Sequence, residues 1–314
     1  MKILFIADPL DSFAVKKDST LAMMAVAQKK GFQVWHCHIH DLKHVDDAVH
    51  AVSSQITIDK SKSPWYSSKG NALLKLGYFD AVIMRTDPPF DLAYVTATWL
   101  LSQAQREGTK VFNEPSALRN HSEKLALLEF LDYAPPTIVS ASLADISQFH
   151  EAHRDIIVKP LDGMGGSGIF RVKEDGLNLA SIVEVMSENG HRPLMVQRYL
   201  PEIKDGDKRV LVIGGKPIPH GLARIPKQGE TRGNLAAGGT GVACEVSQQE
   251  LDVANAVGSE LAKRGLHLVG LDFIGGYLTE INVTSPTCFV EITDQTGFDV
   301  AQAWLDSLEE TVGS

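Results

Sequence analysis

Asp272, Glu280 and Asn282 carry the chain's most specific chemistry, because they fall in Leu271-Asp272-Phe273-Ile274-Gly275-Gly276-Tyr277-Leu278-Thr279-Glu280-Ile281-Asn282, a run that reads as a hairpin. The strand period of two puts Glu280 and Asn282 on one face. If Gly275-Gly276 were the whole loop, Asp272 would oppose Thr279 and point the other way. Pairing it with Glu280 requires an odd-length loop or a bulge, which we expect around Tyr277. The alternate residues Leu271, Phe273, Ile281 and Val283 mark the opposite face as buried. The acids are therefore unlike those of a fully solvated hairpin. Two carboxylates and an amide oxygen suit Mg²⁺, a hard ion held mainly by carboxylates and substrate phosphates.

A second group of residues suits phosphate. Gly163-Met164-Gly165-Gly166-Ser167-Gly168 satisfies GxGxxG, but Ile169-Phe170-Arg171-Val172 follows it where a dinucleotide fingerprint needs a helix, and no Gly-Lys-Ser/Thr closes a P-loop. The loop reads as a hairpin tip whose bare backbone N–H groups can approach phosphate oxygens, with Lys159 just upstream adding a point charge. Arg209, Arg224 and Arg232 lie in the same half of the chain as the oxygen ligands and could stabilise a polyanionic transition state. His36, His38 and His40 form a row that strand alternation produces automatically, with no carboxylate fixed beside it, so we do not read them as a metal site. No GxSxG marks a serine nucleophile.

The elements that must hold these groups change character along the chain. Strands at Ile3 to Ala7, Phe32 to Ile39, Phe79 to Met84 and Thr109 to Phe112 alternate with helices over residues 18–30 and Asp91 to Glu107. This pattern predicts βαβ units around a parallel sheet over residues 1–122. A helix from Glu123 to Leu131 precedes the breaker Pro135-Pro136. Strands at Thr137 to Val139, Ile156 to Lys159, Ile169 to Val172 and Leu194 to Val196, with helices at Leu143 to His153 and Leu179 to Asn189, form a second unit over 123–200. A third, over 201–314, holds strands Arg209 to Ile213, Leu222 to Ile225, Leu268 to Ile274 and Leu278 to Val283, and helices Gln248 to Arg264 and Val300 to Glu310. The stretch Ile225 to Gly241 has five glycines and little apolar matter, as expected of a lid that orders over bound substrate.

Composition narrows the class. The 314 residues allow two or three domains, and 44% hydrophobic with 22% charged residues is ordinary for a folded soluble protein. A net charge of −9 argues against a general grip on nucleic acid or on an anionic membrane. The odd, scattered Cys37, Cys244 and Cys288 fit neither a disulfide framework nor a cysteine zinc site, and point to a reducing cytoplasm. The first strand, Ile3 to Ala7, is too short to span a membrane.

Four long motifs carry a resemblance: residues 159–166 (KPLDGMGG), 204–209 (KDGDKR), 229–239 (GETRGNLAAGG) and 279–287 (TEINVTSPT). With Lys16-Lys17-Asp18-Ser19 and Met84-Arg85-Thr86-Asp87-Pro88-Pro89-Phe90-Asp91, the chain resembles the prokaryotic-type glutathione synthetases, ATP-grasp ligases, nearly end to end. The resemblance implies an α/β fold with an N-terminal parallel-sheet domain and a two-part ATP-grasp module. It implies that γ-glutamylcysteine and glycine are joined through an acyl phosphate while ATP becomes ADP and phosphate.

By the same resemblance, Lys124 and Lys159 would contact ATP phosphates under Gly163, Gly165 and Gly166. Gln197, Tyr199 and Leu200 would line the adenine pocket, and Asp207 would lie near the ribose. Asp272, Glu280 and Asn282 would hold Mg²⁺, with Mn²⁺ as a substitute, while Arg209, Arg224 and Arg232 act on transferring charge. Asp18, Arg85, Ser285 and Thr287 would take the peptide and glycine ends, and the assembly would be a homotetramer. Thr86 and Thr240 stand where the family pattern leads us to expect basic residues. The competing readings are another ATP-grasp carboxylate–amine ligase, such as a glutamate-adding one, and an ATP-binding regulator without turnover.

Overall fold

The computed structural model describes residues 1–313 except Met164, Thr231, Ala236 and Ala237, which belong to motifs quoted above and lie, with Ser314, outside the described residues. The chain opens with β1 (Lys2–Ile6), α1 (Ser19–Lys29) and β2 (Gln33–Cys37), followed by β3 (Leu42–Val45), β4 (Ala48–Ile58) and β5 (Tyr66–Lys75). It returns through β6 (Ala81–Met84), α2 (Leu92–Arg106), β7 (Val111–Phe112) and α3 (Pro115–Asn120). The seven-stranded sheet runs β3-β4-β2-β1-β6-β7, with β5 on β4. Strands β2, β1, β6 and β7 are parallel as expected. The antiparallel β3-β4-β5 extension departs from the expected repeat of βαβ units. On β1, Ile3 and Phe5 face one core while Leu4 and Ile6 face another, as a strand covered on both sides requires.

The second sheet comes from β8 (Thr137–Ser140), α4 (Leu143–His153), β9 (Ile156–Pro160), β10 (Phe170–Val172), α5 (Leu179–Met186) and β11 (Leu194–Arg198), in the order β10-β9-β11-β8. Phe170 pairs antiparallel with Val158, so the glycine loop does cap a hairpin. This sheet has its own core of Ile146, Ile156, Val158, Val172, Leu179, Val183, Leu194 and Val196. Before it, the helix expected over Glu123 to Leu131 is a 3₁₀ stretch at Leu125–Tyr133, kinked at Phe130.

The third sheet, β14-β13-β12-β15-β16, is antiparallel. Its strands are β12 (Asp207–Ile213), β13 (Lys216–Ile225), β14 (Thr240–Glu245), β15 (Leu268–Ile274) and β16 (Tyr277–Asn282), with helices α6 (Gln248–Lys263), α7 (Phe289–Thr296) and α8 (Val300–Gly313). Its apolar residues share both large cores with the first sheet. The first and third sheets thus form one packed base, and the second sheet stands over it with a separate core. Asn113 fastens the base, with Nδ2 donating to the carbonyls of Leu268 and Val283 at 2.8 and 2.9 Å. Among the described residues, no helix is long and apolar enough to cross a membrane.

Candidate active site

The hairpin β15–β16 turns at Gly275-Gly276, whose φ values of 57° and 82° suit a two-residue turn of the kind that needs positive φ at both positions. Ile274 then pairs with Tyr277 and Phe273 with Leu278, but Asp272 pairs with Glu280. The expected irregularity is present, with Thr279 as the extra residue instead of Tyr277. Thr279 Oγ1 donates to the Asp272 carbonyl at 3.1 Å, and the bulge brings Asp272, Glu280 and Asn282 to one side. Asn282 Nδ2 stands 3.0 Å from Asp272 Oδ2.

Four charges meet behind this hairpin. Arg209, on β12 opposite Asp272, donates Nε and Nη2 to the two Asp272 oxygens at 2.8 Å each. Arg224, from β13, reaches Asp272 Oδ2 at 2.8 Å and Asp207 Oδ2 at 2.6 Å. Burial alone would raise the Asp272 carboxyl, but the two guanidinium groups hold it down to about 2. Burial pushes the Asp207 carboxyl up to about 6, with Arg224 opposing the shift, and its Oδ1 is buried without a partner among the described residues. This places Asp207 within the arginine cluster. Arg232 pairs instead with Glu230, at 2.9 Å.

The second sheet supplies the opposite wall. On β9, Ile156 and Val158 enter its core while Ile157 and Lys159 face the cavity. Lys159 Nζ donates to Gln197 Oε1 at 2.6 Å, and Gln197 Nε2 donates to Thr137 Oγ1 at 3.1 Å. Burial lowers the Lys159 pKa. Lys124 Nζ donates to the Gly163 carbonyl at 2.6 Å and pairs with Glu280 at 3.1 Å, joining the glycine loop to the hairpin. Tyr199 carries Arg171 on its ring at 3.6 Å, and Arg171 grips Asp155 through two nitrogens. Gly166, at φ 82°, lies so close to the segment after β13 that a Cβ there would be 2.8 Å from Asn234 Oδ1.

These walls enclose a cavity of about 330 Å³ lined by Lys124, Lys159, Gly163, Gly165, Gly166, Gln197, Tyr199, Leu200, Asp207, Arg209, Arg224, Arg232, Glu280, Asn282, Ser285 and Thr287. Asp272 stands behind the arginines. Asp18 and Arg85 also lie outside the lining. Asp18 caps α1 by accepting from the Leu21 N–H at 2.8 Å. Arg85 is buried, donating to Thr20 Oγ1 and the Pro286 carbonyl at 3.0 Å each, while its Nη1 has no partner among the described residues. Arg209 Nη1 reaches Thr287 Oγ1 at 3.3 Å, and Ser285 donates to Asp87. Asp87, Glu123, Thr284 and Cys288 line the cavity without having been singled out by their sequence context. His38 and His40 fall in a short turn after β2, their rings 4.9 Å apart, instead of continuing the strand face of His36.

Residues 1–119 match the family described as "Prokaryotic glutathione synthetase, N-terminal domain". Residues 123–297 match "Prokaryotic glutathione synthetase, ATP-grasp domain". The chain is 53% identical over 313 residues to a protein named glutathione synthetase from Ralstonia nicotianae, covering 100% of this chain and 97% of that one. A protein of the same name from Bordetella parapertussis is 51% identical over 318 residues, with 100% of both chains covered. Among solved structures, the D-cycloserine synthetase DcsG aligns with a TM-score of 0.68 at 16% identity, over 99% of each chain. The ATP-grasp ligase PsnB, solved with minimal precursor, Mg and ADP, aligns at 0.63 and 16%, over 100% of this chain and 98% of that one. At such identities these two likenesses speak for the fold.

Proposed function

The chain belongs to the prokaryotic glutathione synthetase family, and from that premise we propose how its own residues make glutathione. It is an ATP-dependent carbon–nitrogen ligase acting on small molecules. In our reading, the ATP γ-phosphoryl group passes to the cysteine carboxylate of γ-glutamylcysteine. The glycine amine then attacks the acyl carbon, forming the amide and releasing phosphate. Such transfers need positioning and charge neutralisation more than a nucleophilic side chain.

Lys124 and Lys159 would hold ATP phosphates under the glycine loop, with Gln197, Tyr199 and Leu200 around adenine and Asp207 towards the ribose. Arg209, Arg224 and Arg232 would stabilise negative charge as the phosphoryl and acyl groups transfer. Ser285 and Thr287 would read the peptide and glycine ends, with Asp18 and Arg85 supporting them from behind the wall. The single observation that carries this reading is the bulge that sets Asp272 against Glu280 beside Lys124, Arg209 and Arg224.

A divalent ion belongs with ATP in this family, and we propose Mg²⁺, with Mn²⁺ as a substitute. Glu280 and Asn282 line the cavity and would offer a carboxylate and, with the amide turned, an Oδ1 to the ion, while Asp272, on the same side of the hairpin, would join them by releasing an oxygen now held by Arg209 and Arg224. The ion would neutralise phosphate charge. Support for magnesium comes from PsnB, solved with Mg and ADP. We further propose three units, 1–122, 123–200 and 201–314, a homotetramer, and a cytoplasmic location. The test is ADP release titrated with Mg²⁺. Turnover should require the ion, and Glu280→Gln should lower kcat on the order of 10² or more. Near-normal turnover of the variant at saturating Mg²⁺ would remove Glu280 from the site.

A further inference from the structure

We propose that Glu123 is the counter-ion for the ammonium group of the amino acid that the ligase adds, an inference that rests on the reading above. The cavity is built for anions. Lys124, Lys159, Arg209 and Arg224 all line it, and nucleotide phosphates and peptide carboxylates match them. The amine acceptor is different, since it arrives as an ammonium ion and would be repelled from such a wall without a carboxylate of its own.

Four carboxylates line the cavity: Asp87, Glu123, Asp207 and Glu280. Asp207 is bonded to Arg224 at 2.6 Å, and Glu280 to Lys124 at 3.1 Å. Asp87 is exposed, where an ammonium ion would keep its water, and already accepts from Ser285. Glu123 alone is drawn inward without an ion pair among the described residues, Arg209 and Lys124 acting on it only from farther away. Its Oε1 accepts the neutral Thr284 hydroxyl at 2.7 Å, and its Oε2 takes no hydrogen bond from any described residue. Burial, with Glu280 adding to it, raises the Glu123 pKa, and Thr284, Arg209 and Lys124 oppose the shift only in part.

Its position suits the role. The Glu123 carbonyl accepts the Ile281 N–H at 2.9 Å, which fixes the residue to the strand carrying Glu280 and Asn282. Lys124, the next residue, points to Glu280 and the glycine loop, where phosphate chemistry is expected. On the other side, Thr284 leads directly into Ser285 and Thr287. An ammonium group at Oε2 would therefore sit between the activated carboxyl and the loop that reads the amino acid.

The experiment measures steady-state ADP release in the full-length enzyme with ATP, Mg²⁺ and γ-glutamylcysteine, using glycine or hydroxylamine as acceptor. Hydroxylamine is uncharged at neutral pH and needs no counter-ion. Glu123→Gln keeps side-chain size and the acceptor for Thr284. It should raise the glycine KM tenfold or more, move the ATP and γ-glutamylcysteine KM values less than twofold, and leave hydroxylamine turnover within twofold of wild type. Glu123→Asp, which keeps the charge, should restore part of the glycine preference. An unchanged glycine KM in Glu123→Gln, or an equal loss with both acceptors, overturns the proposal. Should Glu123→Gln fail to fold, Glu123→Ala decides by the same ratio: a raised glycine KM with unaltered hydroxylamine turnover supports the assignment, and an unaltered ratio overturns it. Failure of the ligase reading itself would look different, as absence of glycine-dependent ADP release in the wild-type enzyme.

Discussion

Replacing Asp272 by Asn keeps the shape of the buried network and removes the carboxylate charge that two arginines share. Arg209 and Arg224 are 7% and 3% exposed, so neither can turn to water. After the change Asp207 is the one carboxylate among the described residues still in an ion pair with either arginine, holding Arg224 at 2.6 Å. Removing one partner of a buried ion pair costs about 3–5 kcal/mol, and loss of the charge shared by both arginines places this site near the upper end. For 314 residues unfolding together at about 2.1 cal/mol/K each, about 5 kcal/mol corresponds to a melting point lower by about 8 °C. Glu280→Gln is the control. Lys124 is buried too, but Glu280 is partly exposed and Lys124 keeps the Gly163 carbonyl, so the cost of this change should be the smaller of the two. Circular-dichroism melts of the two variants test the difference. Asp272→Asn melting within 2 °C of Glu280→Gln would refute the idea that Asp272 neutralises both arginines in the folded protein.

Lys159→Met should weaken ATP binding tenfold or more by calorimetry while the melting point shifts little, because among the described residues the ammonium group's one hydrogen bond is to Gln197; equal affinity would remove it from the site. Trypsin should cut the ligand-free protein at Lys227 or Arg232, and ATP, Mg²⁺ and γ-glutamylcysteine together should slow that cleavage strongly; an unchanged rate refutes the lid. Asp207 carries a raised pKa of about 6 against an ordinary 3.8, so the folded protein binds its proton more tightly than the unfolded chain. This group's contribution to stability is therefore present in full below about 3.8 and is lost as pH rises through 6. The stability difference between wild type and Asp207→Asn, from urea melts at pH 4 and pH 7, should narrow or reverse at the higher pH, and a difference that does not change with pH contradicts the assignment.

The shared face of Glu280 and Asn282 was legible because alternation fixes faces locally, and setting Asp272 against Glu280 across a two-residue glycine turn required a bulge. The position of the bulge was not, because Tyr277 pairs regularly with Ile274 and Thr279 takes the extra place by bonding back to Asp272. The glycine loop announced its hairpin through the strand sequence on both sides. By contrast β3, β4 and β5 escaped the reading. They bring an antiparallel meander to the edge of a parallel sheet, and β5 is mostly exposed, so it lacks a clear apolar face. Leu125–Tyr133 has helical composition but kinks at Phe130. Asp18 and Arg85 stood in a recognisable motif, yet packing turned them to a helix cap and to Thr20 and Pro286. Glu123 had no local signal at all. Its meaning comes from the distant Thr284 and from the cations that neighbouring acids already use.

The most direct test of the account supplies purified protein with ATP, Mg²⁺ and γ-glutamylcysteine, and measures ADP release with and without glycine while mass spectrometry identifies the product. We expect glycine to drive ADP release with one glutathione formed per ADP. ADP release indifferent to glycine, or a product carrying glutamate where glycine should be, would contradict it.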